Sequence, residues 1–186
     1  MKKYLFTYLF ISVLSLSAQS NKNVEDGLFR INALSPGVSY ELGAGKNSTF
    51  NFEASVIPVT QTYVGGDLDW ALFPVLGAEF RYFTNMERRI AKGKNISGNS
   101  GNYISFLNHG IITAPILGNI EYDIPIAYLG AVIYGFQRTY PKGFYFGIAG
   151  GPGFFTGDYN PSATIYLDGR IGWVIGKIKI KRITLD

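Results

Sequence analysis

Cysteine is absent from this chain of 186 residues, which removes disulfides, thiolate metal sites, a cysteine nucleophile and a lipidated N-terminal cysteine together. Histidine occurs once, at His109, so any serine–histidine or histidine–metal scheme must pass through that single ring. Charge is scarce as well. Asp, Glu, Lys and Arg make up 16% of the residues, against roughly 25% in soluble domains, and a surface so poor in charge suits something other than water. Long apolar runs are also missing. Mean hydropathy is only +0.11, too low for a bundle of membrane helices, so any lipid-spanning elements must alternate polar and apolar residues. The net charge of +4 falls to +2 once Lys2 and Lys3 are set aside, a balance that gives no argument for a nucleic-acid partner.

What the chain does hold begins with an export signature. Lys2 and Lys3 form a short positive start, residues 4–16 are uncharged and largely apolar, and Ser17, Ala18, Gln19 and Ser20 supply the small and polar end. A spanning helix needs about 20 apolar residues, so residues 1–19 read as a cleaved signal peptide, cut between Ser17 and Ser20. The remaining length fits a single domain over residues 24–185.

That domain reads as short β segments punctuated by Gly, Pro, Asn and Ser, with no long helical period. In residues 49–56, Phe50, Phe52, Ala54 and Val56 alternate with Thr49, Asn51, Glu53 and Ser55. In residues 74–83, Leu76, Ala78, Phe80 and Tyr82 oppose Gly77, Glu79 and Arg81. In residues 164–175, Ile165, Leu167, Ile171, Trp173 and Ile175 oppose Thr164, Tyr166, Asp168, Arg170 and Gly172. Residues 126–139 and 144–151 alternate by size, bulky against small, as the tapering interior of a narrow closed barrel requires.

Other segments carry weaker signals. Residues 28–42 change phase at Ser35-Pro36-Gly37, where a bulge or turn is expected, and residues 103–113 form a strand whose alternation fades after Leu107. Ile178 and Ile180 fall out of phase with Trp173 and Ile175. A turn at Gly176-Lys177 would bring the count to eight strands. Connections are expected at residues 43–48, 59–73, 84–101, 115–125, 140–143 and 156–161, with a turn or so of helix within 85–94.

The expected fold is therefore all-β, an antiparallel transmembrane barrel of about eight strands in the outer membrane. The alternative fold is a soluble periplasmic carrier of the lipocalin type. Which face lies outside decides between them: aromatics crowd the apolar faces, more than a narrow barrel has room to enclose, whereas lipid accommodates them. The polar face is poor in Lys and Glu but carries Glu53, Glu79, Arg81, Asp168 and Arg170, which as enclosed charges must neutralise one another, so these five are expected to form an interior polar network. Trp70, Phe73, Tyr103, Tyr140, Phe154, Phe155 and Tyr159 sit near expected strand ends, where an aromatic girdle belongs. The partners this implies are outer-membrane lipids and the export and barrel-assembly machinery.

The successions Phe29-Arg30-Ile31-Asn32-Ala33-Leu34-Ser35-Pro36-Gly37-Val38-Ser39-Tyr40-Glu41, Glu79-Phe80-Arg81-Tyr82-Phe83 and Gly143-Phe144-Tyr145-Phe146-Gly147 resemble the small uncharacterised outer-membrane barrels of Bacteroidota-type bacteria. The resemblance covers most of the mature chain through short motifs, and implies an eight-stranded barrel in the outer membrane without a settled activity. The chain departs from many such barrels in ending Ile183-Thr184-Leu185-Asp186 instead of on an aromatic.

Chemical motifs are sparse. Ser105 lies four residues from His109, on the same face of a strand, and with a carboxylate these would make a lipid-modifying hydrolase; an ordinary strand histidine is the favoured reading. Gly147, Gly150, Gly151 and Gly153 precede no helix and so mark close strand packing instead of a phosphate loop. Asp67 and Asp69 beside Gly65-Gly66 lack a third calcium ligand. No residue stands out as catalytic and no cofactor is implied. Eight strands leave a lumen just filled by side chains, so an anchoring or surface-interaction role is expected over transport.

Overall fold

A computed structural model describes residues 22–62, 66–157 and 161–176. The signal peptide, Tyr159, Ile178, Ile180 and the residues after Gly176 lie outside that range. Nine strands form one antiparallel sheet: β1 (Leu28–Asn32), β2 (Gly37–Gly43), β3 (Ser48–Thr62), β4 (Leu68–Phe83), β5 (Gly101–Ile112), β6 (Leu117–Gly118), β7 (Ile126–Thr139), β8 (Phe144–Thr156) and β9 (Ser162–Ile175). β9 returns to pair with β1, and the sheet closes in a ring of eight strands; β6 is a two-residue addition to β4. No helix among the described residues is long and apolar enough to cross a membrane.

The count of eight is reached differently from the expectation. Residues 33–36 form a tight turn that divides residues 28–43 into two strands, with Asn32 opposite Gly37, so the phase change there marks a hairpin. The expected connection over residues 59–73 is also corrected, because β3 and β4 run on as a ladder from Ser48 opposite Tyr82 to Thr62 opposite Leu68. Pro58 and Pro74 lie within this ladder, opposite Leu72 and Val56. Pro58 interrupts nothing: Val56 donates its N–H to Pro36, so residue 58 faces the same side, beyond the end of β2, where no bond is lost.

Side chains alternate strictly across the wall. Phe50, Phe52, Leu76, Phe80, Tyr82, Val132, Tyr134, Ile148, Ile165, Leu167, Ile171, Trp173 and Ile175 point outward, as do Phe29, Ile31, Val38, Tyr40 and Leu42. Inside, Glu79, Arg81, Ser105, Gln137 and Tyr145 are buried. The girdle expectation divides along the same line. Trp70, Tyr140 and Phe154 stand outward, whereas Phe73 and Tyr103 are buried and Phe155 packs on the interior cluster, since each shares phase with inward residues of its strand. Outward aromatics gather instead near one end, where Tyr140, Phe144, Phe146, Phe136 and Trp173 pack ring to ring at 5.7–6.1 Å.

Connecting segments pack against interior residues at both ends. At the near end, residues 84–100 carry helix α1 (Met86–Ala91) and turn back inward, burying Ile96, Ser97, Gly98 and Asn99. Gly98 sits at φ 59°, and a Cβ there would meet Thr139 Oγ1 at 2.5 Å, so glycine is required where this segment enters the wall. At the far end, residues 113–125 fold over the opening and pack Ile120, Tyr122 and Ile124 against Phe73 and Ala71.

The glycines of β8 reflect close strand approach. A Cβ on Gly151 would lie 2.1 Å from the Val132 carbonyl oxygen of β7. Gly151→Val is expected to lower unfolding stability by about 1–3 kcal/mol through overpacking. Urea titration followed by folded-form migration in unboiled gels measures it; an unchanged midpoint would show that β7 and β8 separate freely there.

Candidate functional site: an interior charge chain and two unlike rims

The alternation of β1, β2, β3, β4 and β9 brings seven charged side chains into the lumen. Arg30 on β1 pairs with Glu41 on β2 at 2.6 Å, and Glu41 also lies 3.6 Å from Arg81 on β4. Arg81 pairs with Glu79 at 2.5 Å, and Glu79 reaches Arg170 on β9 at 3.3 Å. Arg170 then holds Asp168 at 2.5 Å, with Glu53 of β3 at 3.9 Å. The chain is continuous from β1 across the lumen to β9. Its three guanidiniums face four carboxylates, leaving one negative charge in excess.

Neutral donors complete it. Thr49 donates to Glu41 at 2.6 Å, Ser105 to Glu79 at 2.7 Å and Ser55 to Glu53 at 2.7 Å, while Arg81 donates to Gln137 at 3.2 Å. The guanidinium nitrogens without an acceptor, Arg30 Nε and Nη1 and Arg81 Nε, belong to groups lying over aromatic rings. Arg30 sits 5.4 Å from the Tyr145 ring and Arg81 5.1 Å from the Tyr103 ring, a cation–π arrangement that offsets part of the desolvation. The near-end segment is tied in as well, since the Gly98 carbonyl accepts from Arg30 at 3.3 Å and Gln137 donates to the Asn99 carbonyl at 2.9 Å.

All five residues singled out from the sequence therefore meet in one cluster. Arg30 and Glu41 are not among them, although they form a fully buried pair, at 2% and 0% exposure. Their signal was present. Arg30 falls between Phe29 and Ile31, and Glu41 between Tyr40 and Leu42, the same charge-among-apolar pattern that marked Arg81.

The other candidates are brought together only in part. Ser105 and His109 both face inward, but the Ser105 hydroxyl donates to Glu79, while the His109 ring meets Tyr166 edge-on at 5.9 Å, in space left by Gly77. Asp69 accepts from the Asn119 amide at 2.5 Å. Among the described residues no group of three His, Cys, Asp or Glu is arranged to hold a metal ion.

The rims are opposite in sign. Near-end connections carry Lys46, Arg88, Arg89, Lys92, Lys94 and Lys142, with Lys22 and Lys46 engaged by Asp26 and Glu87. The far end presents Asp67, Asp69, Glu121 and Asp123 and, among the described residues, no Lys or Arg. On the outward faces of the strands between them, the one charged residue described is Arg138 at the near end, donating to Asn102 and the Gly101 carbonyl. Compared with protein-family models, curated proteins and solved structures, the chain matches none.

Arg81→Leu is expected to cost about 3–5 kcal/mol of stability, since it strips a partner from two buried carboxylates. Glu79→Leu combined with Arg81→Leu should cost less than Arg81→Leu alone. Urea midpoints in detergent give both values, and a neutral Arg81→Leu would mean that the chain of charges is not required for the fold.

Proposed function

We propose that this protein is a small integral outer-membrane β-barrel that acts as an anchor and interaction scaffold, not as a pore or an enzyme. The observation that carries the reading is the inversion of its faces. Charges are enclosed and paired, while apolar side chains stand outward on all eight strands of the ring. Water would penalise that outer surface. Lipid would not.

Further features support it. Two polar pairs on the outer face are satisfied locally: the Tyr128 hydroxyl bonds Asn108, and Asn102 donates to the Tyr134 hydroxyl at 2.8 Å. Aromatics flank the apolar face, with Trp70, Tyr128 and Phe154 toward the far end and the Tyr140 to Trp173 cluster toward the near end. The signal-like N-terminus and the resemblance to small Bacteroidota-type barrels agree with export to the outer membrane, which would engage the export and barrel-assembly machinery. An open channel conflicts with a lumen crossed by ion pairs and with the packing of residues 84–100 and 113–125 at its ends. A lipocalin-type carrier would need a wet outer face and an apolar chamber, the reverse of this arrangement.

The mature protein is expected to need detergent for extraction and to migrate faster before boiling than after. Brominated lipid should quench the fluorescence of Trp173. Phe106→Arg, a charge on the apolar outer face, should destabilise the inserted barrel by about 2–4 kcal/mol, whereas Asp123→Arg on the far rim should not. Release into buffer without detergent, together with unquenched Trp173, would end the membrane reading in favour of a soluble barrel.

A further inference from the structure

The wall of the barrel is not equally tall all round. β1 and β2 have 5 and 7 residues, while their neighbours β9 and β3 have 14 and 15. The pairing of β9 with β1 stops at Asn32 opposite Gly172, extended by the Ala33 N–H donating to the Ile171 carbonyl at 2.7 Å. That of β3 with β2 stops at Ser55 opposite Gly37, extended by the Val56 N–H donating to Pro36. Beyond those points, among the described residues, two sheet edges face each other across a notch. Two strands fill the space below it, so the notch is about three strand spacings wide, roughly 14 Å.

The two edges differ. In an antiparallel strand alternate residues direct N–H and C=O to the same side, so the Ile171 bond to β1 fixes the direction of Gly169, Leu167, Ile165 and Ala163. Each turns a complete donor–acceptor pair into the notch, and β9 holds an unbroken register against β8 behind them. Their side chains face outward, and Ile165 and Leu167, at 77% and 79% exposure, are the most exposed large apolar residues of the described chain. On the β3 edge, Pro58 removes a donor. The β9 edge is thus long, apolar and, among the described residues, unblunted.

We propose that the β9 edge is a docking site for an extended strand of another polypeptide, apolar at its lipid-facing positions and cationic at those facing inward. The inference rests on the bilayer reading above. Acyl chains offer no hydrogen-bonding groups, so a strand is the occupant that satisfies four successive backbone pairs within a membrane. The cationic face follows from charge. Asp168 sits on the β9 edge at the lower part of the notch and Glu53 faces the lumen just below it, opposite Ser39 of β2; the charge chain they belong to has one carboxylate in excess, and the far rim presents Asp67, Asp69, Glu121 and Asp123 without a described base. A second copy's β9 is disfavoured by geometry. Two barrels inserted in the same direction meet with their strands crossing at about twice the tilt, roughly 80°, which prevents ladder pairing.

The test uses the mature protein in phosphatidylcholine nanodiscs, probed with an alternating lysine–leucine octapeptide and its glutamate–leucine counterpart. Backbone amide exchange is read by NMR at Ala163, Ile165, Leu167 and Gly169. The lysine peptide is expected to protect all four amides and the glutamate peptide to do so much more weakly. Leu167→Pro removes only a notch-facing N–H, so it should leave folded-form migration intact while weakening lysine-peptide binding roughly tenfold or more. Equal binding to Leu167→Pro, equal protection by the glutamate peptide, or amides already protected without peptide would each overturn the proposal. A protein that enters nanodiscs but ignores the peptide refutes this inference alone, whereas one that never enters them refutes the membrane reading.

Discussion

The interior chain of ion pairs from Arg30 to Arg170 is the constraint to which the rest of the barrel conforms. Each buried guanidinium meets carboxylates on its own strand or on other strands, so the inward phase of β1, β2, β3, β4 and β9 is fixed jointly. A slip of one residue in any of these strands would carry an arginine or glutamate to the apolar face and leave its partners enclosed without a counter-charge. Register here is set by electrostatics as firmly as by the apolar pattern.

The opposite wall solves a different problem. β5, β7 and β8 bring no charge into the lumen and instead supply Ser105, His109, Gln137 and Tyr145 together with small residues. Ala131, Ala149 and Gly135 of β7 leave room for Leu107, Ile133 and Tyr103, which pack the near half of the lumen. The result is a lumen with one ionic side and one close-packed side, with residues 96–99 buried at its near end and residues 120–124 packed on Ala71 and Phe73 at its far end.

How far the chain could be read in advance varied with the strength of its local signals. Residues 126–139 were bounded correctly because bulky and small residues alternate there without interruption. Residues 59–73 are strand where a connection was expected, because nothing local says that Pro58 lies past the end of β2, where its missing N–H costs no bond. Phe73 and Tyr103 were assigned to a girdle from their closeness to strand ends, although the phase of Val75 and Ser105 beside them already pointed inward. Five charged residues of the site were legible, and Arg30 and Glu41 would have been had phase been followed through the short strands.

By itself, the sequence determined the all-β class, the inside-out faces and the identity of most enclosed charges, because a period of two is local and each residue carries its own evidence of which face it occupies. Only the tertiary structure decided which strands are short, how the ring closes, which acid meets which base, and where, among the described residues, an edge is left unpaired. Those outcomes depend on contacts between residues far apart in the chain, such as Arg170 with Glu79 and Asn32 with Gly172. No local pattern encodes such meetings.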